Sequence, residues 1–228
     1  MTARRFTASR PVRLSDVSPK GRLRLDAVAR YLQDIASDDG HDALGDEADP
    51  WVVRRGTIAV TQFPVLRESL TLTTWASGAG GRWAERRTSI TGDRGGHVEA
   101  TALWVYVDLD SGRPKKLTDA FWATYGESVG ERRIHARLTH HDPPESGDAT
   151  PWTPRFTDFD VLGHVNNAVY WAVVEEFVDL AAPTTVELEY RGGIDRGQQV
   201  GVVMDPDGLW ITADGAVAAT ARLTSDPV

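Results

Sequence analysis

Asp158-Phe159-Asp160-Val161-Leu162-Gly163-His164-Val165-Asn166-Asn167-Ala168-Val169-Tyr170-Trp171, with Glu175-Glu176 close behind, crowds polar groups at the entrance of an otherwise apolar helix. From Asn167 to Leu180, the residues Val169, Ala172, Val173, Phe177 and Leu180 share one helical face, and Pro183 blocks continuation. A helix start exposes backbone N–H groups that carry partial positive charge. Such donors polarise a carbonyl as negative charge develops on its oxygen. Asp160 lies seven residues before Asn167, and Gly163 lets the chain turn between them. A carboxylate placed there could activate water or attack directly. Asp160 is therefore the candidate general base or nucleophile, with His164 orienting or assisting it. Backbone N–H groups at Asn166 and Asn167 are the candidate oxyanion site. The layout suits thioester hydrolysis. Helix capping is the competing explanation for Asp158, Asp160 and Asn166, and Asp158 is read as a cap or loop residue. A structural histidine is the competing explanation for His164.

Working outward, the same plan occurs earlier in the chain. Arg13, Asp16 and Gly21 superimpose on Arg155, Asp158 and Gly163 with one shift of 142 positions. Each set lies just ahead of a helix. The first helix is expected from Leu25 to Asp39, with Leu25, Val28, Ala29, Leu32, Ile35 and Ala36 on one face and Gly40 as its stop. An acidic loop is expected from Asp42 to Pro50. Strands are expected at Thr57–Thr61, Leu70–Trp75, Ala84–Thr91 and Val98–Val107, and again at Thr185–Arg191, Gln199–Met204, Leu209–Ala213 and Val217–Leu223. Phe156 to Phe159 reads as extended. Asp207-Gly208 and Asp214-Gly215 are hairpin dipeptides. Each half is thus one long helix followed by about four strands. A curved antiparallel sheet can cover the apolar face of such a helix. The fold class is α+β, a tandem double hotdog. Residues 1–125 form the first hotdog, 126–151 a solvated connector, and 152–228 the second hotdog. By the same shift, Ser18 stands where Asp160 stands and Arg22 where His164 stands. The first half lacks the carboxylate and is expected to supply an acyl tunnel and an interface.

Composition removes several function classes. The 228 residues contain no cysteine, which excludes disulfides, Cys-ligated zinc and a thiol nucleophile. A net charge of -8 argues against nucleic acid or an anionic membrane as a general partner. No apolar run approaches the ~20 residues that span a bilayer. No apolar segment follows the charged N-terminus, so a cytoplasmic protein is expected. His140-His141-Asp142 lacks spaced partners for a metal, and neither a metal nor a cofactor is expected. No G-x-S-x-G elbow is present.

Asp160 to Glu176 resembles the D-x-x-x-H-V-N-N-x-x-Y-(x)5-E segment of acyl-acyl carrier protein thioesterases, the double-hotdog enzymes of plants and bacteria. Trp51-Val52-Val53, Phe63-Pro64, Thr74-Trp75, Trp104-Val105, Arg113-Pro114-Lys115-Lys116-Leu117 and Leu188-Glu189-Tyr190-Arg191 agree with that family in order. The resemblance spans about Val12 to Leu223. It implies hydrolysis of fatty acyl thioesters held on acyl carrier protein, with Asp160 and His164 in the family's catalytic positions. An acyl-CoA thioesterase and a non-catalytic acyl-binding protein are the rival readings, and the chain could pair as a homodimer. The chain departs from the plant pattern at Leu162, where many members carry Asn, and at Gly193 and Ile194, where they carry Glu and Cys. Glu176 and Glu189 are possible helpers. Arg113, Lys115, Lys116, Arg132 and Arg133 are the candidate basic patch for a carrier protein.

Overall fold

The computed structural model describes residues 3–45, 51–108, 110–144 and 148–224. The first half runs β1 (Phe6–Pro11), α1 (Leu25–Leu44), β2 (Trp51–Gln62), β3 (Ser69–Ala79), β4 (Trp83–Gly92) and β5 (His97–Tyr106). Helix α2 (Asp119–Val129) follows. The second half runs β6 (Thr150–Trp152), α3 (Asn167–Phe177), β7 (Thr184–Tyr190), β8 (Val200–Asp205), β9 (Gly208–Ala213) and β10 (Ala216–Thr224).

All ten strands form one antiparallel sheet in the order β1-β3-β4-β5-β2-β7-β10-β9-β8-β6. The order of the first five is the mirror image of the last five. The halves join where β2 pairs β7, from Arg55↔Glu189 to Val60↔Thr184. Helices α1 and α3 pack against each other over the sheet. One apolar core joins Leu25, Val28 and Ile35 of α1 to Tyr170, Trp171 and Val174 of α3 and to Ile58, Val186 and Leu188 of the central strands. Trp171 lies on Gly56 of β2; a Cβ there would sit 3.1 Å from the indole.

Several expectations change, and each half carries a fifth strand ahead of its helix, β1 and β6, that was not expected. Helix α1 does not stop at Gly40 but continues to Leu44, with Gly45 at φ 58 beyond it. Ala43 and Leu44 pack on a second apolar cluster that includes Trp51 and Phe121, and this burial outweighs the roughly 1 kcal/mol that an interior glycine costs a helix. The expected acidic loop from Asp42 therefore begins inside the helix, and positions 46–50 lie outside the described residues. Helix α2 was not anticipated and runs across the expected boundary at 125. Thr118 Oγ1 caps it by accepting the Phe121 N–H at 3.1 Å, and Phe121, Tyr125 and Val129 bury one face at four-residue steps. Phe156–Asp158 is a 3-10 turn rather than a strand, and α3 ends at Phe177 rather than Leu180.

The connector is more than a solvated link. It is strapped across the sheet face opposite the helices. Trp83 Nε1 donates to Ile134 O, Arg55 Nη1 to Arg137 O and Trp210 Nε1 to His141 O. Glu189 is fully buried and accepts the backbone N–H groups of Thr139 (2.7 Å) and His140 (3.0 Å). Alternation along β7 sends Val186, Leu188 and Tyr190 to the core, and Glu187 and Glu189 to this outer face.

A buried charge network closes the far end of α1. Asp39 is 1 % exposed and pairs with Arg4 at 2.7 Å and Arg86 at 2.6 Å, while the Tyr125 hydroxyl donates to it at 3.1 Å. Asp39→Ala leaves Arg86 without its partner in a largely buried site. The expected loss is about 3 kcal/mol of folding stability, read from the midpoint of chemical denaturation.

Candidate active site

Both halves carry the same loop ahead of their helix, and the 142-position shift relates the two hydrogen bond by hydrogen bond. Ser18 N–H donates to Arg22 O at 2.8 Å, as Asp160 N–H does to His164 O at 2.9 Å. Gly21 N–H donates to Ser18 O at 2.8 Å, as Gly163 N–H does to Asp160 O at 3.0 Å. Arg24 N–H donates to Asp16 O at 2.9 Å, as Asn166 N–H does to Asp158 O at 2.8 Å. Gly21 and Gly163 turn the loops at φ 76 and φ 82, a region that disfavours other residues. The helices then begin in register, at Leu25 and Asn167.

In the second half Asp158, expected as a cap or loop residue, closes the 3-10 turn ahead of α3 rather than capping α3 itself. It is buried, and its carboxylate accepts the Arg155 N–H at 2.7 Å and the Arg155 guanidinium at 2.9 Å. Asp160 is half-buried at the head of the next turn. Its Oδ1 accepts the Leu162 N–H at 2.9 Å. Leu162 itself points into solvent, 66 % exposed. His164 is exposed and pairs through Nε2 with Asp195 Oδ1 at 3.2 Å. Its ring lies on Gly193, where a Cβ would come within 3.3 Å. A side chain in the Gly193 position would therefore compete with this ring placement. Ile194 is wholly buried and accepts the Val165 N–H at 2.9 Å, so its side chain belongs to the core.

The start of α3 separates the two candidate oxyanion amides. The Asn166 N–H is engaged by Asp158 O, and Asn166 is the helix cap, its Oδ1 accepting the Ala168 N–H at 2.9 Å. The capping explanation therefore holds for Asn166. The Asn167 N–H has no hydrogen bond to another group among the described residues. Below it, the Tyr190 hydroxyl donates to Asn167 O at 3.0 Å and accepts the Trp171 indole N–H at 2.9 Å. Burial holds the Tyr190 phenol far above its ordinary range. Burial does the same to Tyr170, helped by the negative charges of Asp160 and Asp195. Both phenols stay protonated as donors.

The first half has the same frame with different occupants. Glu175 reaches across from α3, and its Oε2 accepts the Leu25 N–H at 2.6 Å. Its Oε1 pairs with Arg22 at 2.7 Å, and both side chains are largely buried. Burial raises the Glu175 carboxyl above its ordinary range, while Arg22 and the Leu25 amide pull it back. The shift that maps Leu25 onto Asn167 maps Gln33 onto Glu175. Gln33 correspondingly reaches from α1 to the α3 start, its Nε2 donating to Asn166 Oδ1 at 3.4 Å. Glu176, a candidate helper, is exposed. Glu189, the other, belongs to the connector clamp.

A cavity of about 470 Å³ opens beneath α1 and is lined by Gln33, Ala36, Ala76, Trp104, Phe121 and Tyr125 among others. Gln33 and Trp104 also line a smaller gap beside Asn167, Trp171 and Tyr190. The two residues thus link the helix start to the large cavity. Sequence reasoning missed Gln33 and Asp195 and quoted Glu175 without giving it a role; the repeat shift applied to Glu175 would have found Gln33. Among the candidate basic residues, Arg132 of the connector is paired with Glu85 of the first half, and Lys115 of the first half sits 4.4 Å over the Tyr106 ring. The ligand atoms of His140, Glu187 and Glu189 lie within 4.8 Å of one another, a spacing that could hold a metal. They are already engaged: Glu189 by the connector amides, and the His140 ring by Thr220 at 2.8 Å and Glu187 at 3.0 Å.

A doubled hotdog with one carboxylate loop at one helix start falls in the class of hotdog thioesterases. Residues 3–125 match the acyl-ACP thioesterase N-terminal domain and residues 141–220 the acyl-ACP thioesterase C-terminal domain. The chain belongs to the acyl-ACP thioesterase family, and it is a fatty acyl thioester hydrolase. It is 33 % identical over 198 residues to an uncharacterized protein of Mycobacterium tuberculosis, covering 85 % of this chain and 79 % of that one. It is 29 % identical over 153 residues to a chloroplastic acyl-[acyl-carrier-protein] hydrolase of Cuphea viscosissima, covering 62 % and 37 %. In fold it resembles an acyl-ACP thioesterase from Bacteroides thetaiotaomicron (TM-score 0.81, 17 % identity, 96 % of each chain). It also resembles a 12:0-ACP thioesterase from Umbellularia californica (TM-score 0.77, 21 % identity, 98 % of each chain).

Tyr190→Phe would strip the partner from the buried Trp171 indole and release the Asn167 carbonyl. A loss of roughly 1–3 kcal/mol is expected from an unsatisfied buried donor, together with reduced turnover as the α3 start loosens. Denaturant unfolding and a thioester hydrolysis assay on the same preparation check both.

Proposed function

We propose that the chain releases free fatty acid from acyl carrier protein, using one active site at the start of α3. The observation that carries this reading is the unequal state of two matching helix starts. The Leu25 amide is taken by a carboxylate, whereas the Asn167 amide is open beside the Asp160 loop. In this reading Asp160 takes a proton from water, and the resulting hydroxide adds to the thioester carbonyl. The oxygen that gains charge points at the Asn167 N–H, a donor fixed before the reaction begins. Collapse of the adduct breaks the C–S bond, and the thiolate leaves and takes up a proton. His164, held by Asp195, lies on the same loop and orients the reacting groups. The first half supplies the acyl tunnel, because the cavity reached past Gln33 and Trp104 is largely enclosed by first-half residues. Each methylene buried there contributes about 0.8 kcal/mol.

The names of the plant relative and of the plant and bacterial structural neighbours favour acyl carrier protein as the donor; the net charge of -8 counts against an acidic partner protein, and acyl-CoA is the second reading. Matched acyl groups on the two carriers distinguish them. At least tenfold higher kcat/KM on the carrier-protein substrate is expected, and equal or higher values on CoA would overturn the preference.

Asp160→Asn is expected to lower turnover by about 10²-fold or more, the scale of lost general-base catalysis. A variant with wild-type turnover would remove Asp160 from the mechanism. Ala76 is buried in the cavity wall, and Ala76→Phe fills part of the space. It should shift the chain-length profile toward shorter acyl groups, costing a long substrate ~0.8 kcal/mol for each methylene no longer buried. An unchanged profile across a series of acyl lengths would place the acyl chain elsewhere.

A further inference from the structure

The two helix starts differ most in what the opposite helix delivers to them. Glu175 and Gln33 occupy equivalent positions, eight residues after Asn167 and Leu25 respectively. Each crosses to the other helix's first turn. In the first half the arriving group is a carboxylate. One oxygen takes the Leu25 amide at 2.6 Å, and the other is neutralised by Arg22 at 2.7 Å. A negative oxygen thus rests on the amide that matches Asn167, where an oxyanion would otherwise be received. In the second half the arriving group is a neutral carboxamide. It bonds the side chain of the cap, Asn166, at 3.4 Å and leaves the Asn167 amide open. The residue matching Arg22 is His164, which turns outward to Asp195, so no fixed cation waits for a carboxylate there.

We propose that Gln33 is a positioning residue of the hydrolytic site, supplied by the opposite half, whose neutral amide keeps the Asn167 N–H available to substrate. It braces the Asn166 cap from the mouth of the acyl cavity, which it also lines. A carboxylate in its place reproduces the first-half arrangement and shuts the site. The proposal rests on the reading that Asp160 and the Asn167 amide carry out hydrolysis.

The test compares Gln33→Glu, Gln33→Ala and Asp160→Asn with wild type on one acyl-carrier-protein thioester and its CoA counterpart. Gln33→Glu is nearly isosteric and should keep the thermal midpoint. Its kcat should nonetheless fall about 10²-fold, the scale of losing one oxyanion donor. Gln33→Ala deletes the brace without supplying a carboxylate, and its kcat should fall less than about tenfold, by the same measure. A merely structural role predicts the reverse ranking, with alanine the worse variant. Protonating the introduced carboxyl removes the blocking charge, so kcat of Gln33→Glu relative to wild type should rise as pH is lowered from 8 to 5. The other charged or titratable groups around this position are His41 of α1, Glu85 and Arg86 of β4 and Tyr125 of α2 across the cavity, Tyr190 of β7 in the smaller gap, and Asp160, His164 and Asp195 at the α3 start. All are common to Gln33→Glu and wild type, so the ratio isolates position 33. Wild-type turnover in Gln33→Glu, a ranking with alanine below glutamate, or a flat pH ratio would overturn the proposal. Asp160→Asn separates the two levels. If it is inactive while Gln33→Glu is fully active, only the role of Gln33 fails; if it is active, the parent reading fails and the proposal with it.

Discussion

The backbone ladder between β2 and β7 fixes everything that follows from it in space. Six residue pairs, Arg55↔Glu189 to Val60↔Thr184, turn two five-stranded sheets into one. Helices that pack on adjoining strands of one sheet have little freedom in their separation, because neighbouring strands lie about 4.8 Å apart and packed helices 8–10 Å apart. Gly56 lets the Trp171 indole rest directly on the junction strand. With α1 and α3 held that close, a long side chain on either helix reaches the other's first turn.

That reach explains why buried charge is tolerated at one helix start. Glu175 would be costly to bury alone. Arg22 and the Leu25 amide together satisfy it, and the aromatic face of Phe63 lies 4.2 Å from the Arg22 guanidinium. The second start has the opposite economy of charge. Its neighbours are the neutral Gln33, the capping Asn166 and two phenols held in their protonated form by burial. Charge at this start is confined to the loop side, at Asp160, His164 and Asp195, while the helix side that faces the open N–H is neutral.

Much of this was legible in the residues. The spacing of Arg13, Asp16 and Gly21 against Arg155, Asp158 and Gly163 located both loops, because each residue is demanded locally: a carboxylate that accepts the arginine's N–H across the short turn and a positive φ at the glycine. Eight of the ten strands were found from their β-branched runs, most within a few residues at the ends, whereas β2 starts six residues before the expected Thr57 and the short strands β1 and β6 ahead of the helices were missed. What was missed depends on distant partners. Gly40 looked like a stop because nothing nearby reveals that Leu44 finds a home against Trp51 and Phe121. Helix α2 sits in a stretch whose cap and spacing were present but which was divided between the end of the first hotdog and the start of the connector. Asp195 is 31 positions from His164 and is brought to it only by the strand-like bridge between the two segments. The connector looked polar, yet His140 is buried because β7 and β10 offer Glu187 and Thr220 on the outer face. The repeat shift, so reliable before the helices, is lost after them because α1 has 20 residues and α3 has 11.

The exchange of Glu175 and Gln33 across the centre of the molecule has a consequence for how such an architecture can diverge. In a symmetric dimer of a single hotdog, one gene position writes both crossing residues, and any change appears in both sites at once. A glutamate there would close both, and a glutamine would leave both without the ion pair that Arg22 makes here. Joining the two copies into one polypeptide frees these positions from each other. One can then be selected for holding the halves together and the other for keeping chemistry possible, a division of labour that identical subunits cannot inherit.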